Sequence, residues 1–503
     1  MLPASRTHGS KAGLAYWANR VLTECDKASQ EFAPDPVHDL RVAIRRCRSM
    51  ADGFLSVDPD PEWKQMKKAG KALFSALGEL RDAQVMKEWV ERLSPEDDPV
   101  RQVLLATLHH KENLSKASAQ EALHNFDRKR WSELNAKLAR RTGKVPIEGL
   151  VFQHLALERW LEAHDLHRQA LRNRTQVGYH QLRIGIKRFR YTVENFLPQR
   201  HRKWAQDLRD LQDALGEVHD LDVLRAVLRA HPEIPAVDSA RWHGRITEER
   251  QKRLDFYRQK MLGKKSLWHV WRADLPTGLG LEKAAMEKLR TWASFLDPDF
   301  PRTLYVMRLA LQLYDALVQQ GVLTFKPEQR RILQAAAMVQ EVGQRRRDGG
   351  HRKRAYRMVC KVAPPLGWSD EQMHCVAIVA RYHRGALPAN GNSYYVGLPA
   401  KYRSQLLPIA GILRLANALA ASQRQRAARI AMERRDGTLI VYGQGVEGIG
   451  PAAEQIASAR YLLEAACKLP IIVRPFPARS PAAARASAPP PRRAAGLKLE
   501  PAG

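Results

Sequence analysis

A short basic segment occurs twice in this chain, and the repetition constrains its fold more than any other feature. VHDLRVAIRRCRSM begins at Val37 and returns as YHQLRIGIKRFRYT at Tyr179. A second pair follows in the same order, ALGELRDAQVM at 76 and ALGEVHDLDVL at 214. Two ordered blocks at nearly the same spacing indicate a duplicated structural unit. We therefore predict one domain over 8–262, made of two copies at 8–145 and 146–262.

Both copies are predicted to be helical. Apolar residues recur at steps of three and four, strand-like alternation is rare, and prolines cluster in breaks such as SVDPDPE and HPEIP. This is the pattern of amphipathic helices that each bury one face. The apolar stripe of the repeated helix comprises Val37, Leu40, Ile44 and Cys47 in the first copy and Tyr179, Leu182, Ile186 and Phe189 in the second.

A row of cations runs beside each apolar stripe. Residues at steps of three, four and three share one side of a helix. Like charges in such a row repel, and no glutamate interrupts the row to offset the repulsion. We therefore expect each row to bind an anion, with a solvated face as the alternative. The rows comprise His38, Arg41, Arg45 and Arg48 in the first copy and His180, Arg183, Lys187 and Arg190 in the second.

Other basic residues could extend the rows, with solvated side chains as the alternative. The first copy is the more basic of the two in this region. The candidates are Lys64, Lys67, Lys71 and Lys203.

The charge of the chain restricts the ligand to polyanions. The sequence contains 83 Lys+Arg against 53 Asp+Glu, for a formal net charge of +30. This balance attracts nucleic acid, anionic membranes or polyphosphate. Nucleic-acid binding also requires aromatic stacking platforms or short polar side chains that read bases. The rows contain neither, although Phe189 and Tyr191 flank Arg190, and we therefore favour an inorganic phosphate polymer.

The duplicated H-x-x-R-x-x-[IV]-[RK]-R-x-R motif, followed by L-G-x-x-x-D, resembles the CHAD domain (conserved histidine α-helical domain). The resemblance covers about half of the chain. It implies two pseudo-symmetric four-helix bundles around a basic channel. It also implies polyphosphate binding without catalysis, often in association with polyphosphate granules. The resemblance implies that the eight residues of the two rows are the polyphosphate-binding residues.

The second half is predicted to be a separate, helical domain with a small α/β piece at its C-terminal end. GKKSLWHVWRADLPTGLG (263–280) has the composition of a linker. ARIAMERRDGTLIVYGQG at 428 predicts two strands around an Asp-Gly turn, followed by a helix over 452–469 and a strand over 470–475. The domain is expected to span 281–475, with a disordered Pro/Ala/Arg tail over 476–503. The predicted fold class of the whole chain is mostly α.

Four motifs in this half occur in the order Glu341-Val342-Gly343, His351 with Ala355-Tyr356, Gly367-Trp368-Ser369, and Arg381-Tyr382-His383-Arg384. They resemble the HD-like C-terminal domain of the exopolyphosphatase / guanosine-pentaphosphate phosphatase family. An HD metal site needs a His, a His-Asp doublet and a later Asp, since its metal must activate a water. The corresponding residues here are Arg302-Thr303, Gln340-Glu341 and Asn417 or Ala420. This set has too little charge for a divalent ion, so we expect no metal, no cofactor and no catalytic residue.

Cations also gather near a predicted helix start in this half, where backbone N–H groups suit phosphate. A secondary anion site is therefore a hypothesis, with a solvated loop and structural histidines as the alternative. Its candidate residues are His351, Arg352, Arg354, Arg381 and His383.

The leading hypothesis is a non-catalytic protein that binds polyphosphate in the cytoplasm, with polyphosphate granules as a candidate location. One alternative is a phosphohydrolase that acts on polyphosphate or guanosine polyphosphates through the HD-like domain, and another is an RNA-associated basic protein. No apolar run reaches the roughly 18 residues of a transmembrane helix, so no membrane insertion is expected. The five dispersed cysteines fit a reducing compartment. The sequence does not define the oligomeric state.

Overall fold

The chain folds into two compact units. The computed structural model describes residues 13–344, 350–385, 400–422, 430–443 and 449–476. The first unit contains Met1–Pro298 with Ala363–Ser369, and the second contains Asp299–Val362 with Asp370–Gly503.

The first copy of the repeat forms the first group of helices. They are α1 (Leu14–Gln30), α2 (Pro34–Phe54), α3 (Glu62–Ala69), α4 (Lys71–Leu93), α5 (Pro99–His124) and α6 (Arg128–Thr142). Proline occupies the first turn of α2 and of α5, where its missing N–H removes no helical hydrogen bond. The apolar stripe of α2 is buried as predicted, since Leu40, Ile44 and Cys47 are all 0% exposed.

The second copy consists of α7 (Leu150–Asn173), α8 (Gln176–Phe196), α9 (Pro198–Arg229) and α10 (Ala236–Met261). The first copy differs from this four-helix arrangement because its third helix is interrupted at Gly70 and because α6 is added. A Cβ at Gly70 would lie 3.2 Å from Ile44 and 3.3 Å from Trp131 of α6. Glycine at this interruption thus lets the junction between α3 and α4 pack closely against both α2 and α6. The prediction of a mostly α fold is confirmed.

An aromatic cluster joins the two copies where α2 packs against α8. The rings of Phe152 and Phe196 stack with centroids 4.1 Å apart, and Phe54 meets both edge-on at 5.5 Å. Gly53 makes the close approach possible, because a Cβ there would lie 2.3 Å from the Phe196 ring. The same helices that carry the basic rows therefore form the junction between the copies.

Polar contacts reinforce this junction. Arg46 of α2 forms an ion pair with Glu194 of α8 and donates a hydrogen bond to Asn195 Oδ1 at 3.1 Å. Asn195 Nδ2 in turn donates to Ser49 Oγ at 2.7 Å. Arg46 lies beside the predicted anion-binding row but outside it, and the structure places its guanidinium between the two copies.

The equivalent contact from α8 of the second copy to α2 of the first copy is indirect. Arg188, which aligns with Arg46 in the repeat, donates to Glu162 at 2.7 Å. Arg159 then connects Glu162 at 2.9 Å with Asp52 of α2 at 3.2 Å. Asp52 occupies the position that corresponds to Glu194, and its shorter side chain is reached through this intervening pair.

The prediction of a linker over 263–280 is wrong. This segment contains α11 (Leu267–Ala273) and the start of α12 (Gly278–Leu296). Trp268 and Trp271 are buried in the core of the first unit, and Trp271 lies 5.3 Å from Phe189 between ring centroids. Tryptophan buries a large apolar area, which outweighs the linker-like Gly and Lys content. Residues 281–298 therefore belong to the first unit rather than to the second.

Within the described residues, the second unit begins with five helices and ends with a small sheet. The helices are α13 (Phe300–Gln319), α14 (Pro327–Val339), α15 (His351–Val359), α16 (Asp370–Arg381) and α17 (Ala400–Ser422). The sheet contains β1 (Ile430–Arg435), β2 (Thr438–Gly443) and β3 (Ile471–Pro475), with α18 (Pro451–Cys467) before β3. The hairpin turn has positive φ angles at Asp436 (47°) and Gly437 (74°), as a type I′ turn requires. β3 pairs in parallel with β2, so the predicted α/β piece is confirmed.

Two expected segments lie at least partly outside the described residues. They are the start of the first domain at residues 8–12 and the C-terminal tail from residue 477 onward. Within the described ranges, no helix combines the length and the apolar character that crossing a membrane requires.

Replacing Gly53 by Ala should destabilise the first unit, although alanine is the better helix former. The added methyl group would strike the buried Phe196 ring, and such overpacking costs about 1–3 kcal/mol. The matched control is Gly244→Ala in α10, where no atom lies within 4 Å of a Cβ. This control should gain about 0.5–1 kcal/mol. Urea unfolding followed by circular dichroism measures both variants, and a shift in the same direction for the two would contradict the close contact.

Candidate anion-binding site

The basic rows of the two copies meet on adjacent helices. The guanidinium of Arg45 on α2 lies over the Tyr191 ring of α8, 5.4 Å from its centroid. Lys187 of α8 experiences the charges of Arg183 on its own helix and of Arg45 and Arg41 on α2. Cations from both copies therefore contribute to one surface.

Five cations in these rows have no direct ion-pair partner among the described residues. In the part of the chain that the structure describes, none of them forms a hydrogen bond or an ion pair with the protein. The buried Nε atoms of three of them also have no acceptor. An unpaired buried donor costs about 1–3 kcal/mol, and more when it is charged, so an anion that accepts these hydrogen bonds would be stabilised here. The five are Arg41, Arg45, Arg183, Lys187 and Arg190, and the buried Nε atoms belong to Arg45, Arg183 and Arg190.

The crowding of positive charge changes the titration of Lys187. Burial lowers the pKa of this lysine, and repulsion from Arg183, Arg45 and Arg41 lowers it further, to about 8. Asp82 opposes this shift. The side chain still carries most of its charge at neutral pH, but a bound anion would stabilise that charge.

Two acidic residues of the repeat lie within electrostatic range of the rows. Asp82 of α4 stabilises the charged form of Arg41. Burial raises the pKa of Asp220 on α9 to about 6, although the charge of Arg183 opposes the rise. Asp82 and Asp220 are the last residues of the two L-G-x-x-x-D motifs, and the recurrence of this motif is the sequence signal that identifies them.

The two row histidines differ in their surroundings. His38 is exposed, whereas His180 is half-buried with its Nδ1 atom 3.3 Å from Nδ1 of His219 on α9. Burial lowers the pKa of both His180 and His219, and the charge of Arg183 lowers it further. His219 has no histidine counterpart in the first copy, so the repeat gave no reason to include it.

The remaining candidates are either bonded within the protein or exposed to solvent. Arg48 donates a hydrogen bond to the backbone oxygen of Lys67 at 2.5 Å, and the Lys67 ammonium is paired with Asp52 at 2.5 Å. The other extending residues are exposed to solvent: Lys64, Lys71 and Lys203. Arg48 and Lys67 are thus engaged within the protein, which the step pattern alone could not indicate.

The arginines proposed for a secondary anion site contact the local backbone of the second unit. Arg352 donates to the carbonyl oxygen of Arg384, and Arg354 donates to that of Gly343 at 2.8 Å. Arg381 is buried, with its guanidinium 5.7 Å from the centroid of the Tyr382 ring. Anion binding by these arginines stays a prediction.

The two histidines of that proposed site converge instead on Glu341. His383 Nε2 lies 3.5 Å from Oε1 of this carboxylate, and His351 Nε2 lies 3.9 Å from Oε2. One ligand atom from each residue lies within 4.8 Å of the others, a spacing that could hold a metal ion. Burial would raise the pKa of Glu341, but the interaction with His383 and the charges of Arg384 and His351 bring it to about 2. In the sequence, Glu341 stands at a replaced HD ligand position, and no spacing pattern groups it with these two histidines.

The residues that replace the HD metal ligands are close together in space. Asn417 Nδ2 donates to Gln340 Oε1 at 2.7 Å, and Arg384 donates to Asn417 Oδ1 at 3.2 Å. A cavity of about 340 Å³ opens beside them. Its charged lining is basic, with Arg302, His383, Arg384 and Arg414.

Two sequence families match the chain in its two halves. The CHAD domain matches residues 14–229, and the family described as Ppx/GppA phosphatase, domain III, matches residues 291–438. A search of curated proteins gives no match. Both resemblances expected from the motifs are thereby confirmed. The chain therefore combines a CHAD domain with a Ppx/GppA phosphatase domain III.

Proposed function

We propose that the protein binds inorganic polyphosphate through the cations that α2 and α8 bring to one surface. The observation that carries this proposal is the group of five cations, contributed by both copies of the repeat, for which the described residues supply no direct ion-pair partner. A flexible phosphate chain can contact both helices at once, and each phosphate can accept hydrogen bonds from a guanidinium group. Binding would release the counterions condensed on the polymer.

Two glycines of the repeat support access for such a polymer. Gly78 and Gly216 each lie one helical turn before the acid that faces the rows, and therefore on the same side of their helix. No atom lies within 4 Å of where a Cβ would stand at either position, so packing does not require glycine there. A missing side chain leaves room for a ligand to approach the backbone.

The aromatic rings near the rows argue against a single-stranded nucleic acid as the preferred ligand. Two guanidinium groups lie against the Phe74 ring, those of Arg48 at 5.2 Å and Arg41 at 5.9 Å from its centroid. Tyr191 has one face covered by Arg45. Stacking platforms must offer open ring faces to the bases, whereas these rings hold the arginines in place.

The proposal also includes a location for the protein, which is the cytoplasm, on polyphosphate granules.

Removing three of these cations should weaken polyphosphate binding strongly. Replacing Arg45, Arg183 and Lys187 together by Gln removes three charge-assisted contacts, each of which contributes about 1.5–3 kcal/mol. We expect a loss of at least about a hundredfold in affinity and a shallower dependence on salt, by about 0.7 in log–log slope for each lost phosphate contact. Fluorescence anisotropy with long-chain polyphosphate, over a salt series, measures both quantities.

A charge-matched control separates the site from general electrostatic attraction. Lys129→Gln, Arg168→Gln and Lys264→Gln together remove the same charge from residues that are exposed to solvent. This variant should keep most of the affinity. Equal losses in the two triple variants, or equal affinity of the wild type for single-stranded DNA of matched charge, would contradict the proposal.

Affinity for long-chain polyphosphate should fall as the pH rises from 7 to 9. The pKa of Lys187 in the free protein is about 8, and a bound phosphate would raise it, so the anion binds best when the lysine is protonated. The loss between pH 7 and pH 9 should be about tenfold. Lys187→Arg should flatten this profile because guanidinium stays charged. An equally steep profile in this variant would exclude Lys187 as the titrating group.

A second candidate function is phosphohydrolysis in the second unit, which the grouping of Glu341, His351 and His383 beside a basic cavity favours. Phosphate release from polyphosphate or guanosine polyphosphates, measured with added Mn²⁺ or Mg²⁺, tests it. Turnover that is lost in His351→Ala would support an enzyme. Absence of turnover in the wild type would leave binding as the function.

A further inference from the structure

We infer that the second unit binds one divalent transition-metal ion through Glu341, His351 and His383. The inference concerns a different unit from the polyphosphate surface and does not depend on the proposed function. It also reverses the expectation, drawn from the lost HD ligands, that this half binds no metal. Of the three proposed ligands, only Glu341 occupies a position where an HD domain has a metal ligand. His351 and His383 lie outside those HD ligand positions.

The hydrogen bonds of His383 leave one ring nitrogen available as a ligand. Its Nδ1 atom lies 2.7 Å from the backbone oxygen of Ala380, which can only accept a hydrogen bond. In the neutral imidazole Nδ1 therefore carries the proton, and Nε2 presents its lone pair. The side chain is 0% exposed, and Nε2 has no hydrogen-bond partner among the described residues. A carbonyl that fixes the tautomer in this way is the usual support of a metal-binding histidine.

The free ring nitrogens face the carboxylate across distances that a cation would bridge. His383 Nε2 and His351 Nε2 lie 3.5 and 3.9 Å from the two oxygens of Glu341. Both nitrogens are buried, and the described part of the chain gives neither a hydrogen-bond partner. Ligand atoms around a tetrahedral zinc ion, with bonds of about 2.0–2.1 Å, are separated by about 3.3 Å. A small contraction of the group would therefore give this geometry, and the ion would replace the repulsion between lone pairs and carboxylate by attraction.

An internal cation competes for the same carboxylate. Arg384 Nη2 lies 3.7 Å from Glu341 Oε1 and also donates to Asn417. Its side chain is 45% exposed, so it can move toward solvent without leaving a buried charge. Removing its charge should therefore strengthen metal binding, whereas a purely structural ion pair with Glu341 would have no such consequence.

The ligand set indicates the class of metal. Two imidazole nitrogens and one carboxylate suit Zn²⁺, Co²⁺, Ni²⁺ or Mn²⁺ better than Mg²⁺ or Ca²⁺, which prefer oxygen ligands. Three protein ligands would leave a position for water or an anion. The neighbouring cavity shares His383 with the group, and its arginines would attract a phosphate oxygen to that position.

Metal binding by the full-length protein tests the inference directly. After treatment with a chelator, Zn²⁺ is titrated by equilibrium dialysis with elemental analysis, and Co²⁺ is titrated by visible absorption. We expect one ion per chain in the wild type. Glu341→Gln and His351→Ala should each weaken binding by at least tenfold, since loss of an outer-shell partner already costs about 10–100-fold. Arg384→Gln should tighten it. Circular dichroism confirms that each variant is folded.

The control is His110→Ala, which removes an exposed histidine on α5 in the first unit. This variant should bind the ion with unchanged affinity. The inference is overturned if the wild type binds no stoichiometric ion, or if Glu341→Gln and His351→Ala both bind it as the wild type does. A Co²⁺ spectrum dominated by thiolate charge transfer would likewise place the ion on a cysteine and contradict the assignment.

Discussion

The contact between α2 and α8 is the constraint on which the rest of the first unit depends. Gly53 lets the two helices approach until the Phe196 ring fills the space of a side chain, and Arg46 joins Glu194 and Asn195 across the same junction. Each helix buries one apolar stripe and carries one basic row. Bringing the helices together therefore also brings like charges together, which opposes association unless other interactions compensate. The aromatic cluster and the Arg46 contacts supply that compensation.

The electrostatic cost of this arrangement is visible in particular side chains. Burial and the neighbouring arginines lower the pKa of Lys187 to about 8, and burial raises that of Asp220 to about 6. Neither pKa shift stabilises the folded free protein at neutral pH, because each favours the neutral form of a side chain that is normally charged. Perturbed groups of this kind cluster at functional sites. Here they lie beside cations that have no direct ion-pair partner among the described residues, which is the arrangement expected where a polyanion completes the structure.

Periodicity and repetition predicted the helices, the rows and the small sheet, because those features depend on spacing along the chain. Three-dimensional contacts decided the rest. Arg48 and Arg190 occupy the same position of the repeat, yet only Arg48 meets a backbone oxygen, which α3 supplies. The Gly and Lys content of residues 263–280 made a core segment resemble a linker, whereas the burial of Trp268 and Trp271 places the segment in the core. The group formed by Glu341, His351 and His383 comes from separate segments, so no spacing could reveal it.

The central claim is that one phosphate polymer contacts both copies of the repeat at the same surface. A crystal structure of the full chain with polyphosphate of defined length tests it most directly. We predict a continuous run of phosphate density that contacts Arg45 of α2 and Arg183 of α8 within a single bound chain. Density that avoids both helices and lies elsewhere on the basic surface would contradict the account.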